Sequence, residues 1–126
     1  MRAIVDTSVL IATNVAELDG ELAISAASLA ELHFGVLVTT DGSVRAERLR
    51  RLSKLQRKFD ALPIDDGVAT SYGLLAAAVA TSGRQPRSRV MDLLIAATAH
   101  AHSARLYTRN AKDLNGIEHL IEIVPV

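Results

Sequence analysis

The sequence has 126 residues and a mass of 13.5 kDa, room for one hydrophobic core but not for two independent ones. Apolar residues make up 49% and charged residues 22%, which excludes a disordered tail, and the absence of cysteine excludes disulfides, thiolate metal sites and cysteine nucleophiles. The 14 basic and 14 acidic residues cancel, so a polyanion has to be held by a local patch or by a metal ion.

Ala3-Ile4-Val5 opens as a strand, and Thr7 to Ala12 reads as a short helix. Leu22-Ala23-Ile24 is a second strand, with Ser25 or Ser28 available to cap a helix over Leu29–Val38. Ser43 to Asp60 is a charged amphipathic helix with an apolar line of Val44, Leu49, Leu52, Leu55 and Phe59. Leu62-Pro63-Ile64 is a short strand, and a helix follows from Asp66 to Ala80, stopped by Gly83. A loop with Pro86 leads into a very apolar helix over Val90–Ser103. Leu106-Tyr107-Thr108 and Ile121-Glu122-Ile123-Val124 are the last strands. This rhythm predicts an α/β domain with a central, mainly parallel sheet flanked by helices, and ligands at the carboxyl ends of its strands.

Acidic residues recur at those ends. Asp6 follows the first strand, as helix cap or as functional group; Ser8 is a second cap for the same helix. Glu31 sits among apolar neighbours and forms an S-x-x-E capping-box pattern with Ser28. Asp92 heads a helix face continued by Ile95, Ala96 and Ala99, so it calls for a partner, and a metal ion is one. Asn110 and Asp113 are spaced as an N-cap and the acid of the first turn. Gathered at one sheet edge, these oxygens suit hard cations such as Mg²⁺ or Mn²⁺, which serve phosphodiester chemistry.

Val5-Asp6-Thr7-Ser8-Val9-Leu10-Ile11 resembles the opening of PIN domains. Ser28-Leu29-Ala30-Glu31-Leu32 with Gly35, Asp92 through Ala99, and Leu106 through Leu114 resemble their later motifs in the same order. Order and length are similar to the VapC toxins, the ribonuclease half of bacterial VapBC toxin–antitoxin pairs. The resemblance implies a single PIN-like domain over residues 1–126 and a Mg²⁺- or Mn²⁺-dependent endoribonuclease that hydrolyses RNA with a metal-activated water. Asp6, Glu31 and Asp92 would bind the metal, with Asp113 as a further catalytic acid; Asn110 is neutral where many relatives carry an acid. Thr7, Ser8, Thr108 and Asn110 would orient carboxylates or waters. It also implies a homodimer silenced by a cognate VapB-type antitoxin, received on an apolar surface of Val9, Leu10, Leu32 and Val36.

Arg87, Arg89 and Arg109 are the first choices for contact with RNA phosphates, ahead of the basic run from Arg45 to Lys58. Phe34, Phe59, Tyr72 and Tyr107 are too few for a base-stacking platform. The histidines lack zinc spacing, and no glycine-rich phosphate loop is present. Asp6 interrupts the apolar opening, and no later run reaches the ~20 residues of a membrane span, so a cytoplasmic protein without membrane attachment is expected. A PIN-like binding module that has lost catalysis is the second reading. An acidic phosphotransfer domain fits poorly, because Ser8 stands where a phosphatase of that kind wants a second aspartate.

Overall fold

The computed structural model describes residues 1–12 and 17–126. The sheet comprises β1 (Arg2–Val5), β2 (Glu21–Ser25), β3 (Ala61–Leu62), β4 (Arg105–Thr108) and β5 (Ile123–Pro125), in the order β3-β2-β1-β4-β5. Every pairing is parallel. The helices are α1 (Thr7–Leu10), α2 (Ala26–Val38), α3 (Gly42–Lys58), α4 (Asp66–Thr81) and α5 (Val90–Ala101), with 3-10 turns over Pro86–Arg89 and Ala111–Leu114.

Alternation along β1 divides the core. Ile4 points to the side packed by Leu75, Val79, Leu93 and Ile95 of α4 and α5. Ala3 and Val5 point to the other side, against Val9, Leu10 and Phe59. Leu106 and Tyr107 of β4 repeat the division. α5 is the most enclosed helix, with Leu93 and Ile95 through Ala99 all buried, as its apolar sequence predicts.

Boundaries follow local chemistry. α2 begins three residues earlier than its apolar spacing suggests, because Ser25 caps it by accepting a hydrogen bond from the Ala27 N–H at 3.1 Å. Ser28 is therefore inside the helix and fully buried, and the Ser28/Glu31 pair is no capping box. α3 begins at Gly42 behind Asp41, whose carboxylate accepts from the Ser43 and Val44 N–H groups. Leu49 of the expected apolar line is 51% exposed, and Leu52 carries the packing of α3. α4 stops where Gly83 adopts φ +87°, which a side chain at that position would strain.

The chain runs outward from β1 to β2 to β3, then returns through α4 and α5 to place β4 on the other side of β1. β1 and β4 thus flank the point where the strand order reverses, and the crevice beyond their carboxyl ends is where such a sheet receives a ligand. Asp6 and Thr108 stand at that point.

Candidate active site

Asp6 takes the N-cap position of α1 in extended backbone, yet its side chain caps nothing. Its carboxylate turns instead toward β4. Ser8 Oγ donates to Asp6 Oδ2 at 2.9 Å, and Thr108 Oγ1 donates to the same oxygen at 2.7 Å. Each hydroxyl is oriented in turn by the backbone leaving β4: the Arg109 N–H donates to Ser8 Oγ at 3.1 Å and the Asn110 N–H to Thr108 Oγ1 at 3.0 Å. The residue is only 7% exposed, and Thr108 is fully buried. Both donors act on Oδ2, while Oδ1 takes no hydrogen bond from the described residues and is not sealed from solvent.

Glu31 projects from α2 toward α1. Thr7 Oγ1 donates to Glu31 Oε1 at 2.7 Å and lies 2.9 Å from Ser28 Oγ. Ser28 and Glu31 are three residues apart and share one face of α2, which explains the spacing that resembles a cap.

Asp92 lies in the first turn of α5 and is partly buried. Burial raises its pKa above the ordinary carboxylate value; the negative charges of Asp6 and Glu31 push it further, Arg89 opposes them, and Asp113 adds to the rise. These acids therefore share one electrostatic field, although they come from four separate elements. Asp113 lies in the Ala111–Leu114 turn, where Arg89 Nη2 meets its Oδ1 at 3.2 Å. Arg89 Nη1 stands 4.0 Å from Asp92 Oδ2, so this arginine bridges two of the acids rather than projecting freely toward solvent.

Asn110 contributes its backbone N–H, while the residue itself is exposed and its side chain makes no cap. Arg87 and Arg109 are exposed beside the crevice. His100 Nδ1 is engaged with Ser71 Oγ at 2.8 Å, away from the acids. Among the described residues, no three acidic or histidine side chains converge into a ready-made metal cage. The donor chemistry nevertheless suits a hard divalent cation: carboxylate oxygens predominate, one of Asp6's oxygens is left open, and mutual repulsion leaves Asp92 short of positive charge. The bridging role of Arg89 went unread in the sequence; its spacing of three residues from Asp92 was the available signal.

The pattern of the PIN domain matches residues 3–117, and the chain belongs to the PIN-domain family, in its VapC branch. Ribonuclease VapC5 of Mycobacterium tuberculosis is 35% identical over 113 residues, covering 85% of this chain and 82% of that protein. Ribonuclease VapC4 of the same organism is 33% identical over 115 residues, with 86% of each chain covered. A crystal structure of VapBC-5, a toxin–antitoxin complex from M. tuberculosis, superposes with a TM-score of 0.82 at 32% identity, covering 99% of this chain and 98% of that one.

Proposed function

We propose that this protein is the endoribonuclease toxin of a VapBC-type pair, hydrolysing RNA phosphodiesters at the crevice between β1 and β4 with the help of Mg²⁺ or Mn²⁺. The observation that carries the reading is the double clamp on Asp6: Ser8 and Thr108 fix one carboxylate oxygen and leave the other without a hydrogen bond from the described residues, close enough to Glu31 and Asp92 for the three charges to act on one another. The kinship with proteins named ribonuclease VapC supports it.

Asp6, Glu31 and Asp92 would hold the ion, which when bound supplies Lewis acidity toward a phosphodiester and its attacking water. Thr7 keeps the Glu31 carboxylate in place, and Ser8 and Thr108 do so for Asp6. Asp113 adds negative charge and holds Arg89. Arg87 and Arg109, exposed at the rim, contact RNA phosphates and offset the repulsion between acids and backbone.

The partner is an antitoxin of the VapB type, in keeping with the VapBC complexes among similar structures. The surface expected for it needs correction. Val9 and Val36 are 3% and 6% exposed and belong to the interior. Ile11, Phe34 and Leu37, at 47%, 67% and 71%, are the apolar side chains that face outward near α1 and α2. A homodimer would use the outer face of α4, where Leu74, Ala77 and Ala80 are exposed. No helix among the described residues is long and apolar enough to cross a membrane; a cytoplasmic site of action is part of this proposal.

The direct test is incubation of total tRNA and rRNA with wild type and with Asp92→Asn, each with Mg²⁺, Mn²⁺ or EDTA. Discrete cuts by wild type alone, lost in EDTA, are expected. Equal cutting by both proteins would remove Asp92 from the site.

A further inference from the structure

We infer that α3 supplies a second phosphate-binding pocket, built by Arg48 and Arg51 beside Gly35, that holds the RNA backbone next to the acidic site. The inference rests on the ribonuclease reading above. A cavity of about 280 Å³ lies between α1, α2 and α3 and is lined by Thr7, Glu31, Leu32, Gly35, Arg48 and Arg51. It opens directly onto Glu31 and its partner Thr7, so it continues the acidic site.

The placement of Arg51 runs against the logic of an amphipathic helix. It shares one helical stripe with Val44, Leu52 and Leu55, all at least partly buried, while Arg48 on the same stripe is exposed. Apolar residues belong at such packed positions, yet Arg51 holds one of them. Arg48 donates from Nη1 to the Gly35 carbonyl at 2.7 Å, which steadies its head group at the cavity wall. Arg51 makes no ion pair among the described residues, is partly buried and lines the cavity. Gly35 lines the cavity too, and a Cβ built there meets nothing within 4 Å, so a larger side chain has room at that position.

The chemistry selects an anion. A chain of zero net charge must bind a polyanion through local cations, and carboxylates at the reaction centre repel the phosphates on either side of the scissile bond. Arg87 and Arg109 offset that repulsion on one side of the acids, and Arg48 and Arg51 do so on the α3 side. Guanidinium forks match phosphate oxygens in a bidentate manner. The strand therefore crosses the acids between two basic flanks. With few aromatics nearby, the pocket reads backbone rather than base.

The experiment compares wild type, Arg51→Gln, Gly35→Leu and Arg57→Gln, the last an exposed arginine of α3 outside the cavity. Gly35→Leu fills the space without removing charge, and thermal melts establish that each variant folds. Binding of a fluorescein-labelled single-stranded RNA of mixed sequence is measured without divalent metal across a salt series, and kcat and KM are measured on RNA that wild type cuts. Arg51→Gln and Gly35→Leu are expected to weaken RNA binding about tenfold and raise KM similarly, with kcat within about twofold; Arg51→Gln also lowers the log–log salt slope by about 1. Arg57→Gln should stay within about twofold of wild type. Folded Arg51→Gln and Gly35→Leu proteins with unchanged RNA binding and KM overturn the inference, and loss of antitoxin capture with intact RNA binding assigns the pocket to protein docking instead. A wild type that neither binds nor cuts RNA overturns the ribonuclease reading and this inference together.

Discussion

Arg89 Nη2 lies 3.2 Å from Asp113 Oδ1, which puts a built-in cation at the edge of a site whose acids call for an external one. The same guanidinium stands 4.0 Å from Asp92 Oδ2, so Arg89 and a divalent ion draw on overlapping negative charge.

Replacing Arg89 with glutamine should therefore strengthen Mn²⁺ binding. The side chains of the Arg89–Asp113 pair are 37% and 28% exposed, and such pairs are worth roughly 0.2–1 kcal/mol, equivalent to a gain in affinity of about 1.4- to fivefold. Calorimetric titration of both proteins with Mn²⁺ measures it directly. Unchanged or weaker binding would mean that Arg89 supports the metal pocket rather than competing for it.

Asp92→Asn should stabilise the metal-free protein at neutral pH. Burial and the neighbouring acids raise the folded-state pKa of Asp92, so the ionised form is disfavoured by folding. A raised pKa contributes stability that is present in acid and lost as pH rises through the folded value. The advantage of the variant in EDTA should thus shrink as pH falls from neutral toward about 4. Thermal melts of both proteins across that range test the sign, and a variant less stable than wild type at neutral pH in EDTA would contradict it.

Thr108→Val removes a buried hydroxyl that donates to Asp6 and accepts from the Asn110 N–H. RNA cleavage should fall about 10- to 100-fold, as for other groups that orient a ligating side chain. Stability should drop by about 1–3 kcal/mol, since the Asn110 N–H loses its acceptor. Thr108→Ser keeps the hydroxyl and should recover most of the activity. A valine variant with wild-type cleavage would show that the second clamp on Asp6 is dispensable.

Leu75→Ala tests the core that carries the site. Leu75 is fully buried in the cluster that joins α4, α5 and the sheet. The cavity left behind should cost about 2–5 kcal/mol in urea unfolding, with the metal ligands themselves untouched. A smaller loss would indicate that α4 and α5 close over the space.

Much of this architecture was legible because the signals were local. The run Ala3-Ile4-Val5, the helix stop at Gly83 and the enclosed apolar run of α5 appear as read. The acids at strand ends and helix starts were visible for the same reason. What the sequence concealed depends on direction in space. Ser28 and Glu31 look like a capping box, and only the cap at Ser25 shows that both instead turn toward Thr7. Arg89 reads as a free phosphate contact until the Ala111–Leu114 turn brings Asp113 to it. Val9 and Val36 look available as apolar surface, but the packing of α1 and α2 encloses them. Gly35 carried no reading as a void, because emptiness between two helices has no local pattern.

The hydrogen bond from Thr108 to Asp6 spans 102 positions of sequence. The clamp is therefore a non-local contact that closes only once β1 and β4 have paired, and the loop-closure entropy of that pairing is recovered nowhere but in the finished sheet. A fragment without β4 keeps Asp6 through Ser8 alone, so the geometry of the site reports on the integrity of the whole sheet.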